Sequence, residues 1–201
     1  MTYNAIGNML TRTDFNGYTT TYDYEALTSR LSSITADASH PSLAHSHAPA
    51  QFSYTYDDLG RRLTSTTRNR LNSLLYERAW SYDSRSQLTQ ASSLNGTLNY
   101  IYDSVGNLSG VQSDTTDGYD QSFDYDALNR LSDVYRGQQG VDPNASGLSA
   151  YSYNEVGSLE SIAYVNDVAH VYGYTDLNRL SSLQVGKLAS GVDPPMAGLA
   201  G

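Results

Sequence analysis

The stretch Phe123-Asp124-Tyr125-Asp126-Ala127-Leu128-Asn129-Arg130-Leu131 decides how the whole chain is read. Phe123 and Tyr125 lie two apart with a polar residue between them, so both rings point to one face of an extended segment. Asp126 follows, a residue whose carboxylate accepts hydrogen bonds from turn amides. Three positions later comes Asn129, one of the residue types that most readily adopts a positive φ. Leu131 then opens a second extended run. The stretch predicts strand, tight turn, strand.

The same pattern recurs along the chain. Taking the second aromatic as anchor gives Tyr3, Tyr24, Tyr56, Tyr82, Tyr102, Tyr125, Tyr153 and Tyr174, at gaps of 21, 32, 26, 20, 23, 28 and 21 residues. Such spacing is too short for a four-stranded propeller blade of ~40 residues and suits a two-stranded hairpin. The residue after the anchor is Asp57, Asp83, Asp103, Asp126, Asn4 or Asn154, with Glu25 and Thr175 as departures. The positive-φ position falls on Gly7, Gly60, Gly106, Gly157, Asn129 and Asn178. Between them stands an apolar residue in seven of the eight units, Arg85 being the exception. Leu31 and Leu63 arrive one residue late, which predicts a longer turn or a bulge in those two units. Isolated hairpins are marginal in water, so the units are expected to stack edge to edge, with equivalent tyrosines forming ladders.

A second repeat, Gly140-Val141-Asp142-Pro143, returns as Gly191-Val192-Asp193-Pro194, with Gly-Leu following at Gly147-Leu148 and Gly198-Leu199. By the first copy's spacing another Tyr would stand at position 202, so the chain reads as a segment of a longer array. Residues 1–185 form the expected array and 186–201 a Gly/Pro-rich inter-repeat segment.

Composition supports strands and turns. There are 18 Tyr against 3 Phe and 1 Trp, and charged residues make up 16%. The net charge of −9 argues against a phosphate backbone as partner, because nucleic-acid affinity rests on Lys and Arg. Without Cys there is no disulfide framework, thiolate nucleophile or thiolate metal site. No run approaches the roughly 18 apolar residues of a membrane-spanning helix, and Met1 to Thr11 lacks a signal-peptide pattern.

These residues resemble the YD repeats of the RHS family, whose motif is Tyr-Asp-x-x-Gly-Arg-Leu. The resemblance covers roughly residues 3 to 185 and is closest in Asp126 to Leu131 and in Asp57-Asp58-Leu59-Gly60-Arg61-Arg62-Leu63. It implies an all-β, open, curved strip or solenoid of about eight hairpins that spirals into a hollow shell. Such shells occur in bacterial polymorphic toxins, in the C component of insecticidal toxin complexes and in animal teneurins. The resemblance further implies an enclosed toxin domain, released by an aspartyl autoprotease in a C-terminal core region. This sequence has no recognisable core region after Lys187, and Asp193-Pro194-Pro195 is similar to the family's Asp-Pro motifs only in that dipeptide. The expected function is a non-catalytic wall segment, secreted or at the cell surface as part of a larger protein. Its expected partners are the rest of the shell, a cargo domain and, through open strand edges, other copies.

His40, His45 and His47 stand near Asp37 and would be the metal candidates, although a polar surface loop explains them as well. Asp114, Asp117 and Asp120 lack the alternation of an EF-hand loop and read as a solvated turn. Asp57 and Asp58 are paired carboxylates, yet the motif Asp recurs in unit after unit, as a turn residue does and a catalytic one does not. No Gly-x-Ser-x-Gly turn is present, and no cofactor site is read from the residues. The rival reading is a carbohydrate-binding or adhesive surface made of the tyrosine rows, with Trp80 the one tryptophan.

Overall fold

The computed structural model describes residues 1–37, 39–41, 48–115, 118, 120–137 and 146–187. Among these residues the chain is all-β, with sixteen strands and no α-helix. It divides into two compact units, Met1–Leu98 and Asn99–Gly201. The first holds β1 (Thr2–Tyr3), β2 (Met9–Thr13), β3 (Thr19–Tyr24), β4 (Leu31–Ala36), β5 (Pro49–Tyr56), β6 (Arg62–Asn69), β7 (Leu74–Tyr82) and β8 (Leu88–Ser93). The strand β9 (Gly96–Tyr102) runs across the division. The second holds β10 (Leu108–Ser113), β11 (Gln121–Tyr125), β12 (Leu131–Arg136), β13 (Ser146–Tyr153), β14 (Leu159–Tyr164), β15 (Val168–Tyr174) and β16 (Leu180–Lys187). Within each unit the pairing is antiparallel and strand order follows chain order. The expected sheet of consecutive hairpins is therefore what the sequence forms.

Six of the eight anchor turns are closed by an Asp or Asn. The Asp126 amide donates to the Arg130 carbonyl at 2.9 Å, and the Asn129 amide returns to the Asp126 carbonyl at 2.9 Å. Asp126 Oδ1 accepts the amides of Leu128 and Arg130 at 2.9 and 3.0 Å. The same bonds recur around Asn4, Asp57, Asp83, Asp103 and Asn154. Three residues on, φ is +87° at Gly157, +59° at Asn129 and +65° at Ser86, the left-handed conformation that closes the bend. Glu25 departs in sequence and in geometry. Its amide reaches Arg30, one residue farther, and Ser29 takes the positive φ.

A shift of register adjoins the turn at seven of the eight anchors, rather than only in the two units where the late leucines predicted one. Asp124 faces Asp133 while Tyr125 faces Leu131, so Leu131 and Ser132 together oppose one anchor. Equivalent shifts occur at Tyr3, Tyr24, Tyr56, Tyr82, Tyr153 and Tyr174. The longer turn expected for Leu31 is present. For Leu63 it is not: Asp57 keeps the standard turn, and Arg62 occupies the place opposite Tyr56 that leucine fills elsewhere. Arg62 holds that place through its side chain, which lies 4.6 Å over the Tyr54 ring.

Register sorts the residues onto two unlike faces. One carries the aromatics and their partners, such as Tyr22 opposite Ile34, Tyr151 opposite Ile162 and Tyr172 opposite Leu183. The other carries small or polar residues, including the row Asp124, Asp133, Ala150, Ala163, Ala169 and Gly186. Among the described residues most of those buried are small, including Ala50, Ala163, Ala169, Ser122 and Ser152, and no large side chain is fully enclosed. Without a second layer, stability must come from strand pairing, same-face contacts and side-chain hydrogen bonds rather than a thick core.

Gly157→Ala places a Cβ in ordinary van der Waals contact, 3.7 Å from the Arg130 guanidinium, but at a φ that an L-residue adopts with strain. It is expected to cost about 1 kcal/mol in denaturant unfolding, whereas Ser29→Gly, at a φ of +56°, should be nearly neutral.

Candidate functional site

The repeat motif positions its functional side chains at the junctions between hairpins. Six of the eight anchor hydroxyls reach the neighbouring return strand and donate to a main-chain carbonyl of the preceding unit, while that of Tyr3 turns to the Met1 sulfur. Tyr24 donates to Met9, Tyr56 to Leu31, Tyr82 to Arg62, Tyr125 to Leu108, Tyr153 to Leu131 and Tyr174 to Leu159, at 2.8 to 3.1 Å. The acceptor is always the residue that opens the return strand. Register is equally constant: the residue two after the acceptor pairs with the residue three before the tyrosine. The pairs are Thr11 with Thr21, Ser33 with Ser53, Thr64 with Ala79, Gly110 with Ser122, Asp133 with Ala150 and Ser161 with Val171.

Tyrosine-on-tyrosine ladders are not what joins the units. Equivalent anchors lie two strands apart, roughly 9.6 Å, beyond the 4.5–7 Å of ring pairing. Among the described residues the ring pairs are Tyr18 with His40 and Tyr164 with His170. Three of the anchor rings are instead covered by arginines. Arg61 lies 4.8 Å over Tyr82, Arg130 4.4 Å over Tyr153 and Arg30 5.8 Å over Tyr56.

These arginines also link turn to turn. Arg61 Nε donates to its own Asp57 at 2.6 Å, and its Nη1 reaches the Asp83 carbonyl and the Ser86 hydroxyl of the next turn, both at 3.1 Å. Arg30 Nη1 reaches the Asp57 carbonyl at 2.6 Å. Where the residue is not arginine the link is shorter. Asn107 Nδ2 donates to Asp103 and to Asn129 Oδ1, and the Ser158 hydroxyl donates to Asn178 Oδ1 at 2.6 Å. These cross-turn bonds went unread in the sequence, although Arg30, Arg61 and Arg130 share the position just before the return strand. Two further turns of the same geometry close the opposite edge, at Asp14 to Gly17 and Asn69 to Asn72. Their Asx-x-x-Gly/Asn spacing was visible, but no tyrosine precedes them.

Electrostatics follow from these contacts. Burial pushes the Asp126 carboxyl up, but bonds from the Arg130 amide and guanidinium and the Leu128 amide outweigh it and hold the group below its ordinary value. Asp57 and Asp103 are lowered in the same way, against the same opposing effect of burial. Burial raises the Tyr125 and Tyr153 hydroxyls, keeping them donors. On the small-residue face Asp124 moves the other way. Burial, then Asp133 directly opposite, raises it, and a bond from Tyr135 only partly compensates.

The remaining candidates are not gathered into one centre. His40 Nε2 lies 3.5 Å from Asp14 and its ring against Tyr18, while His45 and His47 lie outside the described residues. Asp120 accepts the Ser113 amide at 2.8 Å, and Asp117 is outside the described residues. Among the described residues no group of three or more His, Cys, Asp and Glu is placed to hold a metal. The Gly140 and Gly191 repeats and the tail Asp193 to Pro195 also fall outside them. No helix among the described residues is long and apolar enough to cross a membrane.

Fold and seam together define an open array of stitched β-hairpins, the architecture that the resemblance to YD repeats implies. In sequence the chain is homologous to stretches of two toxin subunits of Yersinia entomophaga, which bears out the family resemblance. It is 31% identical to toxin subunit YenC2 over 145 residues, 56% of this chain and 15% of that protein. To toxin subunit YenC1 it is 26% identical over 184 residues, 88% of this chain and 19% of that protein. It thus spans less than a fifth of either relative. No family model matches the chain. Among solved structures the fold resembles part of the TcdB2-TccC3-Cdc42 crystal structure, with a TM-score of 0.62, 19% identity, and coverage of 89% of this chain and 10% of that one. It also resembles part of the Photorhabdus luminescens Tc holotoxin pore, with a TM-score of 0.55, 16% identity, and coverage of 96% and 12%.

Tyr153→Phe and Tyr125→Phe each remove one hydroxyl while keeping the ring, and should each destabilise the second unit by about 1 kcal/mol in urea unfolding. Asp124, raised in the folded state, subtracts stability above its folded pKa and ceases to do so as pH falls through it. Asp124→Asn should therefore stabilise at neutral pH by about 0.5 kcal/mol, the scale of an opposed like-charge pair on a solvated face, with the gain vanishing in acid.

Proposed function

We propose that the chain is a non-catalytic wall segment of an RHS/YD-repeat shell that encloses a toxin or other cargo domain and assembles with further toxin subunits. The observation that carries this reading is the hydroxyl-to-carbonyl stitch repeated at six junctions. It joins hairpin to hairpin without a second layer, so a sheet can extend by adding units rather than by thickening a core. The likeness to toxin subunits supports the same reading. In this role the turn aspartates serve geometry rather than catalysis. The protein acts as part of a larger, exported assembly, its partners being neighbouring repeats and the enclosed domain. The carbohydrate-binding alternative gains little from the seam, because the anchor hydroxyls already have acceptors and their rings lie under guanidinium groups.

The test is limited proteolysis of the full-length product of the gene that contains this sequence. More Tyr-Asp hairpins should flank the segment, and a C-terminal domain should resist protease until the shell is denatured. Tyr125→Phe combined with Tyr153→Phe should shorten that protection. A cargo domain cut at the rate of a free domain, or glycan binding lost on substituting exposed tyrosines, would overturn the proposal.

A further inference from the structure

The hairpin of β6 and β7 reverses the charge of the chain around it. Residues 61–85 hold six of the 12 Lys and Arg residues, all of them arginines, against only Glu77 and Asp83 among the 21 Asp and Glu residues, in a chain of net charge −9. Most of these arginines are engaged. Arg61 holds Asp57, Arg62 lies over the Tyr54 ring and Arg68 donates to the Asn72 carbonyl at 3.0 Å. Arg78 differs: its side chain is exposed and makes no hydrogen bond, ion pair or ring contact among the described residues. It stands on the aromatic face, opposite Ser65 of β6 on one side and Ser93 of β8 on the other.

Arg78, Ser65, Thr67 and Tyr76 together line a depression of about 280 Å³. The three hydroxyls, like the guanidinium, have no partner among the described residues. Glu77 opposes Thr66 and so points to the other face. The site is therefore concave, lined by four unspent donors of which one is cationic, and has no carboxylate on its walls. It lies on a sheet face, between strands that are paired on both sides, so hairpins added at either end of the array leave it open.

We infer that this depression binds the carboxylate of an aspartate or glutamate side chain presented by a partner polypeptide. A guanidinium meets both oxygens of a carboxylate in one plane, and the neighbouring hydroxyls supply further donors. Size sets the occupant, since about 280 Å³ falls below the roughly 300–1,000 Å³ of a small-molecule pocket and suits one side chain. Charge sets it too. A single unengaged arginine matches one negative charge, whereas a polyanion would be repelled by the net charge of −9. Tyr76, 65% exposed, offers apolar surface beside the guanidinium for the residues that flank the acid. Such a contact is the same whether or not the array encloses a cargo.

Nuclear magnetic resonance titration of the 201-residue chain with acetyl-Leu-Glu-Leu-amide is the test. Trp80, the single tryptophan, stands two residues from Arg78 on the same face of β7, so its indole N–H reports on the site together with the Arg78 Nε–H. Both signals should shift, and added salt should weaken the binding. Acetyl-Leu-Gln-Leu-amide should bind about fivefold more weakly, as should the glutamate peptide to Arg78→Gln. Arg78→Lys keeps the charge without the planar fork and should fall between. Arg70→Gln removes the same charge from the turn of the same hairpin and should leave affinity unchanged. Circular dichroism should show the same β-sheet spectrum for all three variants, and Arg78→Lys carries the comparison if Arg78→Gln does not fold. Unmoved signals, equal binding of the two peptides, or equal losses in Arg70→Gln and Arg78→Gln would overturn the site. Tighter binding of inorganic phosphate than of the glutamate peptide would overturn the polypeptide as its occupant. None of these outcomes bears on the wall reading, which stands or falls on protection of cargo in the full-length protein.

Discussion

The structure depends on one hydrogen bond made over and over, from an anchor tyrosine hydroxyl to the carbonyl that opens the preceding return strand. Its geometry requires three things together. The tyrosine must stand at the end of its strand, the return strand must begin at a fixed distance from the turn, and the bulge must let two residues face one. The Asx turn supplies the distance and the bulge supplies the offset. Phenylalanine at the anchor would provide the same apolar area but no donor, which accounts for tyrosine rather than phenylalanine at all eight anchors.

A single-layered sheet is an unusual answer to the problem of burial. With no fully enclosed large side chain, it makes up for a thin interior through neighbours on the same face and through side chains that cross from turn to turn. Arginine suits this task because one guanidinium can hold its own aspartate, reach the next backbone and cover the adjacent ring at once, as Arg61 does.

Much of this was legible in the sequence. The alternation around Tyr22 and Tyr24, the Asp at 57, 103 and 126, and the Gly or Asn three residues later located the hairpins, because strand period and turn chemistry act over a few residues. What joins one hairpin to the next was not legible. A tyrosine's acceptor is a backbone carbonyl, which any residue supplies, so Arg62 can stand where Leu108 and Leu131 stand without leaving a trace in the pattern. The bulge was hidden for a similar reason: its extra residue, Ser132 in one unit, looks like an ordinary strand position. The late Leu63 misled because spacing was counted to the nearest leucine rather than to the residue opposite the tyrosine.

Anchor spacing varies from 20 to 32 residues, yet the pairing offset across the six described junctions never changes. The surplus residues fall between the return strand and the next anchor strand, as in the segment between β4 and β5. Any hairpin therefore presents the same socket behind it and the same plug ahead of it. Unequal recombination within such a gene yields products whose seams still fit, so a wall of this kind can lengthen or shorten in evolution by whole courses of brick.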